Sequence, residues 1–166
     1  MDQSATPPQN ISEIKFRTAT NLDRDRIESL VFGVLAEYDL PPSPESTDAD
    51  LQDIEGGYLQ RGGVFEIIED GQGRLLGTVG LYPLDDETCE LRKMYLAPQV
   101  RGLGLGKRIL ERMIARARSL GFKKMVLETS SKLEAAKRLY LKFGFQAMRH
   151  EHLSPRADQS YFLELS

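Results

Sequence analysis

Apolar residues recur at every second position in some stretches of the chain and at every third or fourth in others, and the switches between these periods divide it into elements. IKFRTA (14–19) alternates as a strand. IESLVFGVLAEYDL (27–40) takes the helical spacing, with Asn21 or Asp23 as its cap, and the prolines of PPSPEST (41–47) break it. DADLQDIEGGYLQRGG (48–63) predicts a second, weaker helix that runs out in glycines. VFEIIED (64–70) and RLLGTVGLYPL (74–84) alternate on either side of GQG, which predicts a hairpin. CELRKMYLAP (89–98) mixes its alternation, as a strand covered on both faces or interrupted by a bulge would.

Between 105 and 120 the residues Leu105, Ile109, Leu110, Met113, Ile114 and Ala117 fall on one helical face, and Gly121 supplies the stop. KKMVLET (123–129) is a short buried strand. Ser130 or Ser131 then caps a helix through LEAAKRLYLKF (133–143), which Gly144 ends. FQAMRHE (145–151) and SYFLELS (160–166) form a last antiparallel pair, joined by a loop containing SPRADQ. The order β, α, α, β, β, β, α, β, α, β, β predicts an α/β fold of the α+β type, a mixed sheet with helices on its faces.

Composition narrows the partners. The 166 residues fit one domain, 13–166, behind a disordered leader at 1–12. The net charge of -3 lacks the basic excess of a nucleic-acid binder. No apolar stretch is long enough for a bilayer, and the start of the chain has no signal-like pattern. One cysteine, Cys89, excludes an internal disulfide and reads as a small packed residue. The expectation is a cytoplasmic protein with neither a nucleic-acid nor a membrane partner.

Candidate chemistry centres on QVRGLGLGKRIL (99–110). A strand that enters glycines and then a helix makes an anion site, because the first helical N–H groups have no internal partners and glycine lets a ligand reach them. Arg101, Lys107 and Arg108 add cationic groups suited to phosphate. A Walker loop needs Ser or Thr after its lysine, and here Arg108 follows Lys107. A Rossmann loop counted from Gly102 meets Lys107 at its third glycine position, and too little chain follows for further βα units. The remaining pattern is RxxGxG, made by Arg101, Gly104 and Gly106.

This pattern, with LRKMYLAP ahead of it, a strand ending in LET, and AAKRLYLKFGF behind, closely resembles the GNAT N-acetyltransferase superfamily. The likeness runs from Ile14 to the last strand and is densest between Cys89 and Phe145. It implies a mostly antiparallel sheet of six to seven strands with helices on both faces, splayed where acetyl-CoA binds as co-substrate. The pyrophosphate would lie on the backbone of Arg101, Gly102, Leu103, Gly104, Leu105, Gly106 and Lys107. The pantetheine arm would pair with Met94, Tyr95 and Leu96, with a backbone N–H near Met94 receiving the oxyanion. Members often form homodimers.

The resemblance implies Tyr140 as the acid facing the coenzyme sulfur. Glu128 and Glu90 are the two candidate bases, with direct deprotonation by solvent as a third option, and either glutamate is equally suited to a structural ion pair with Arg92 or Lys93. Leu133 stands where many members carry asparagine. The activity implied is direct acetyl transfer to a primary amine, of a small molecule or a peptide, in a ternary complex. The alternative is a non-catalytic acyl-CoA-binding module.

The amine would be chosen by residues 37–60 and 150–159. Glu37, Asp39, Glu45, Asp48, Asp50, Asp53 and Glu55 make the first of these acidic, which suits a cationic amine, although the plainer reading is a solvated acidic loop. His150 and His152 lack a third ligand nearby and read as a solvated strand end, so no metal is expected.

Overall fold

The computed structural model describes residues 13–149 and 152–165, which leaves the leader expected at 1–12 outside the described residues. Among the described residues seven strands form one sheet in the order β1-β2-β3-β4-β5-β7-β6: β1 (Lys15–Thr18), β2 (Val64–Glu69), β3 (Leu75–Pro83), β4 (Thr88–Leu96), β5 (Lys124–Thr129), β6 (Gln146–Met148) and β7 (Gln159–Glu164). Only β4 and β5 run parallel; the other neighbours are antiparallel.

Helix α1 (Arg24–Glu37) and the single turn α2 (Ile54–Gly57) cover one face, and α3 (Leu105–Ser119) and α4 (Glu134–Lys142) the other. The period-2 alternation of β2 makes this possible. Val64 and Ile68 pack with Leu105, Ile109 and Met113 of α3, whereas Phe65 and Ile67 pack with Ile27, Val31 and Leu35 of α1. Arg112 of α3 adds a two-bond ion pair to the buried Glu66, at 2.6 and 2.9 Å, which holds the helix against β2.

Three local expectations are corrected. The helix expected over 48–63 survives only as Ile54–Gly57 between tight turns at Ala49–Gln52 and Leu59–Arg61. Adjacent Gly56 and Gly57 disfavour a longer helix, and burial of Leu51, Ile54 and Tyr58 organises the segment instead. Asn21 does not cap α1, and Asp23 holds the N-cap position without a side-chain cap bond, its carboxylate accepting the Thr20 N–H instead. Thr20 opens a turn at Asn21–Asp23 that runs straight into the helix, and the Asn21 side chain reaches across to accept the Ile54 N–H at 2.8 Å. Ser130 and Ser131 do not cap α4, which starts at Glu134. The Ser130 carbonyl accepts the Leu133 N–H, and Ser131 binds Asp158.

Two irregularities of β4 open the sheet. Its register with β3 slips between Thr78↔Tyr95 and Gly80↔Arg92, so Val79 faces both Lys93 and Met94. Lys93 sits at φ +53, a left-handed conformation that costs a residue with a Cβ about 1–3 kcal/mol. Such a bulge sharpens the local twist. On its other side β4 pairs with β5 only from Thr88 to Glu90, opposite Lys124 to Val126, after which the two strands part.

Candidate active site

The parting of β4 and β5 leaves a cleft of about 450 Å³. Glu90, Arg92, Met94 and Tyr95 line it from β4, Glu128 from β5, Tyr140 from α4, and Ser154 and Arg156 from the β6–β7 loop. All three candidate catalytic residues are therefore brought together, with Met94 and Tyr95. Leu96 and the glycine loop do not wall the cleft but abut its end. A Cβ at Gly106 would lie 3.7 Å from a Leu96 methyl and 4.0 Å from the Met94 methyl.

Alternation sets the sides. Leu91 and Leu127 belong to the core under α3 and α4, together with Tyr140, so Glu90 and Glu128 project to the opposite face. Tyr140 is 6% exposed and packs 5.6 Å from Phe145, ring to ring. Burial, with a smaller effect of Tyr95, pushes its hydroxyl above the ordinary phenol range, so it is a neutral donor at physiological pH. No described group accepts that proton.

The two carboxylates differ in their partners. Glu90 is ion-paired with Arg92, two residues along the same strand, and Arg92 lies 3.8 Å over the Tyr82 ring. The described partners of Glu128 are neutral donors, the hydroxyl of Ser154 at 2.9 Å and its N–H at 3.3 Å.

Behind the β4 wall lies a buried charge network absent from the sequence-based picture. Asp48, with no exposed side-chain surface, receives two bonds from Arg156 at 2.6 and 2.7 Å and faces Lys93 Nζ at 3.3 Å. Lys93 Nζ also meets Asp50 and the Thr47 carbonyl, and Asp50 accepts the Tyr58 hydroxyl. Burial opposes ionisation of Asp48, but Arg156, the Ser43 N–H and Lys93 outweigh it and hold the carboxyl below its usual range. This corrects the reading of 37–60 as solvated acid at Asp48 and Asp50, whose side chains are drawn inside, while Glu37, Asp39, Glu45 and Asp53 are exposed as that reading has them. Glu37 is used by Arg101, Asp48 and Asp50 by the network, Asp53 by the Gly56 N–H and Asn21, and Glu55 by the Asn21 N–H. Arg156 is 108 residues from Asp48, a separation that no local pattern reports.

At the glycine loop, Gly102 and Gly104 adopt φ +77 and +82, and a Cβ at either would meet nothing within 4 Å. Left-handed backbone explains both glycines, and the open space leaves room for a ligand against the loop. Helix α3 starts after Gly104 with no side-chain cap; the N–H groups of its first turn are free of intrahelical acceptors until Arg108 N bonds the Gly104 carbonyl.

The cationic side chains do not converge on this loop as expected. Arg101 turns back to the Leu96 carbonyl and to Glu37, Lys107 lies 3.9 Å from Glu111, and Arg108 sits 5.8 Å from the Phe16 ring centre. A carbonyl at a strand end needs a donor, and Arg101 supplies it.

Of the lesser candidates, Leu133 lines the cleft as an apolar wall. His152 lines it too, while His150 lies outside the described residues. Among the described residues no group of three or more metal-ligating side chains occurs. Cys89 is fully buried and its thiol is pushed up to about 12 by burial, which suits packing rather than nucleophilic attack. No described helix is long and apolar enough to cross a membrane.

A profile described as the acetyltransferase (GNAT) family matches residues 31–145. The uncharacterized N-acetyltransferase YjgM of Escherichia coli is 36% identical over 135 residues, 78% of this chain and 80% of that protein. A GNAT-family acetyltransferase from Staphylococcus aureus superposes with a TM-score of 0.86 at 22% identity, over 92% of this chain and 99% of the other. An acetyltransferase from Salmonella typhimurium, solved with its cofactor acetyl-CoA, gives 0.73 at 21% identity, over 93% and 95%. With its sequence matched across most of its length and its sheet split where the resemblance implies, the chain belongs to the acetyltransferase (GNAT) family.

Proposed function

We propose that residues 13–166 act as one domain in which this N-acetyltransferase moves an acetyl group from acetyl-CoA to a primary amine by direct attack in a ternary complex. The observation that carries the reading is the cleft itself, with Tyr140 on one face of the split sheet and Glu128 on the other. A coenzyme entering from the α3 side and an amine from the α1 side would meet in the opening. Beyond Glu90 the β5-facing edge of β4 is free to pair with an extended arm, as an added strand would. The first-turn N–H groups of α3 and the open backbone of Gly102 and Gly104 fit the pyrophosphate.

Charge balance chooses between the glutamates. Glu90 is neutralised by Arg92, and Lys93 and Arg156 by Asp48 and Asp50. The described partners of Glu128 are neutral, so its charge is left for an approaching ammonium; the carboxylate takes one proton from it, directly or through water, before the freed amine attacks, and the second nitrogen proton passes to solvent as the adduct collapses to the amide. Charge on the thioester oxygen falls to the Met94 N–H. Tyr140 donates a hydrogen bond to the sulfur as the carbon–sulfur bond breaks. The thiolate is less basic than this phenol, so solvent returns the final proton and the products are the acetamide and free coenzyme A. Buried Cys89 needs no oxidising environment, and the cytoplasm is the compartment we assign.

Thermal shift tests the coenzyme. At about 100 times Kd, acetyl-CoA and coenzyme A should each add roughly 2.7 kcal/mol, or roughly 5–10 °C, and NADH none. Stabilisation by NADH alone would replace the reading with a dinucleotide site. Thiol release across a panel of amines tests the chemistry, because a non-catalytic module would bind coenzyme and release no thiol with any of them. With an accepted amine, Glu128→Gln should lower kcat/KM by roughly 100-fold and shift its acid limb, while Glu90→Gln stays within about tenfold. The reverse order would move the base to Glu90.

A further inference from the structure

Two features of the β4 bulge have no part in the roles above. Lys93 adopts φ +53, and its carbonyl oxygen accepts a 2.7 Å hydrogen bond from the hydroxyl of Thr78, a fully buried residue of β3. In a regular antiparallel ladder that carbonyl would take a backbone N–H; where the register slips, a side chain supplies the donor.

Fixing this carbonyl fixes more than one atom. The Lys93–Met94 peptide is planar and trans, so its N–H points opposite to its C=O. Val79 and Leu81 face the core under α3, and Gly80 contacts Tyr58 and Phe65 on the α1 side; by alternation Thr78 also lies on the α1 side. The carbonyl therefore tips toward β3 and α1. The Met94 N–H then points away from β3, to the side where β4 has lost β5 and where Tyr140 lies. The Lys93 ammonium, held by the Thr47 carbonyl at 3.1 Å and by Asp48 and Asp50 at 3.3 and 3.2 Å, resists relaxation of the bulge.

We propose that Thr78 is a positioning residue whose hydroxyl latches the Lys93 carbonyl and so keeps the Met94 N–H aimed at the thioester oxygen. The proposal rests on the acetyl-CoA reading of the cleft. Threonine suits the task because its branched Cβ restricts χ1 and its hydroxyl satisfies a buried acceptor.

The test needs no amine. Coenzyme A and a ketone isostere of acetyl-CoA, with CH2 in place of sulfur, are titrated calorimetrically into wild type, Thr78→Val and Thr78→Ser. Only the isostere carries a carbonyl for the Met94 N–H. Thr78→Val should raise the Kd of the isostere about tenfold and leave that of coenzyme A within about twofold, and Thr78→Ser should restore the isostere. Equal weakening of both ligands, no change in either, or failure of serine to rescue overturns the latch, since a merely structural loss would not single out the carbonyl. If wild type binds neither ligand, the acetyl-CoA reading falls and the latch with it.

Discussion

Replacing Tyr140 with phenylalanine is expected to lower kcat by roughly 100-fold or more, with KM for acetyl-CoA and the melting temperature little changed. The variant removes only a hydroxyl. The ring keeps its packing against Phe145 in the core under α3 and α4, and no described group loses a hydrogen bond. Loss confined to kcat is the signature of an interaction made in the transition state alone, here the donor that meets charge gathering on sulfur.

The direction of the Tyr140 shift adds a pH test. Burial raises its pKa, so the wild-type rate should show no fall from phenol ionisation up to about pH 10, the ordinary value for tyrosine. The same shift makes a stability contribution present below that ordinary value and lost as pH rises from it through the higher folded one, because only the unfolded chain ionises early. Steady-state kinetics on both proteins decides the matter. Full turnover by Tyr140→Phe would remove Tyr140 from its role, whereas a fall between pH 8 and 9 that this variant abolishes would keep the role and overturn the raised pKa.

The order of elements was legible because each carries its own period. VFEIIED alternates as a strand, which the structure covers on both faces, and Leu105 to Ala117 announce one face of a helix. The mixed alternation of CELRKMYLAP left open a strand covered on both faces or one carrying a bulge, and a bulge falls at Lys93 and Met94. The site residues that sequence reasoning missed belong to another class. Thr78 acts on a residue 15 positions away, Ser154 on one 26 away and Arg156 on one 108 away. Periodicity reports which face a residue takes and nothing about which distant charge shares it. The Arg101 side chain shows the same limit: its partner Glu37 lies 64 positions away, and a cation beside a glycine loop looks available until that partner is seen.

The same long-range pairing sets the largest expected loss of stability. Asp48→Ala should cost about 3–5 kcal/mol, a fall in melting temperature of roughly 10 °C, because it strips two buried cations of their shared counter-charge. Lys93 and Arg156 side chains are 4% and 10% exposed, so neither can recover its hydration without opening the wall of the cleft. Arg156→Ala should cost less, since Asp48 would keep Lys93 and the Ser43 N–H. Glu87→Ala should cost under about 1 kcal/mol, because its pair with Lys123 is about two-thirds exposed on both sides. The sign with pH follows from the depressed folded pKa of Asp48. Its contribution is present above the unfolded value, about 3.9, and is lost as pH falls through the lower folded one, so wild type and Asp48→Ala should converge in melting temperature on strong acidification. Thermal denaturation across the series measures both effects. An Asp48→Ala protein that melts no lower than Glu87→Ala would mean that the network shapes the cleft without holding the fold.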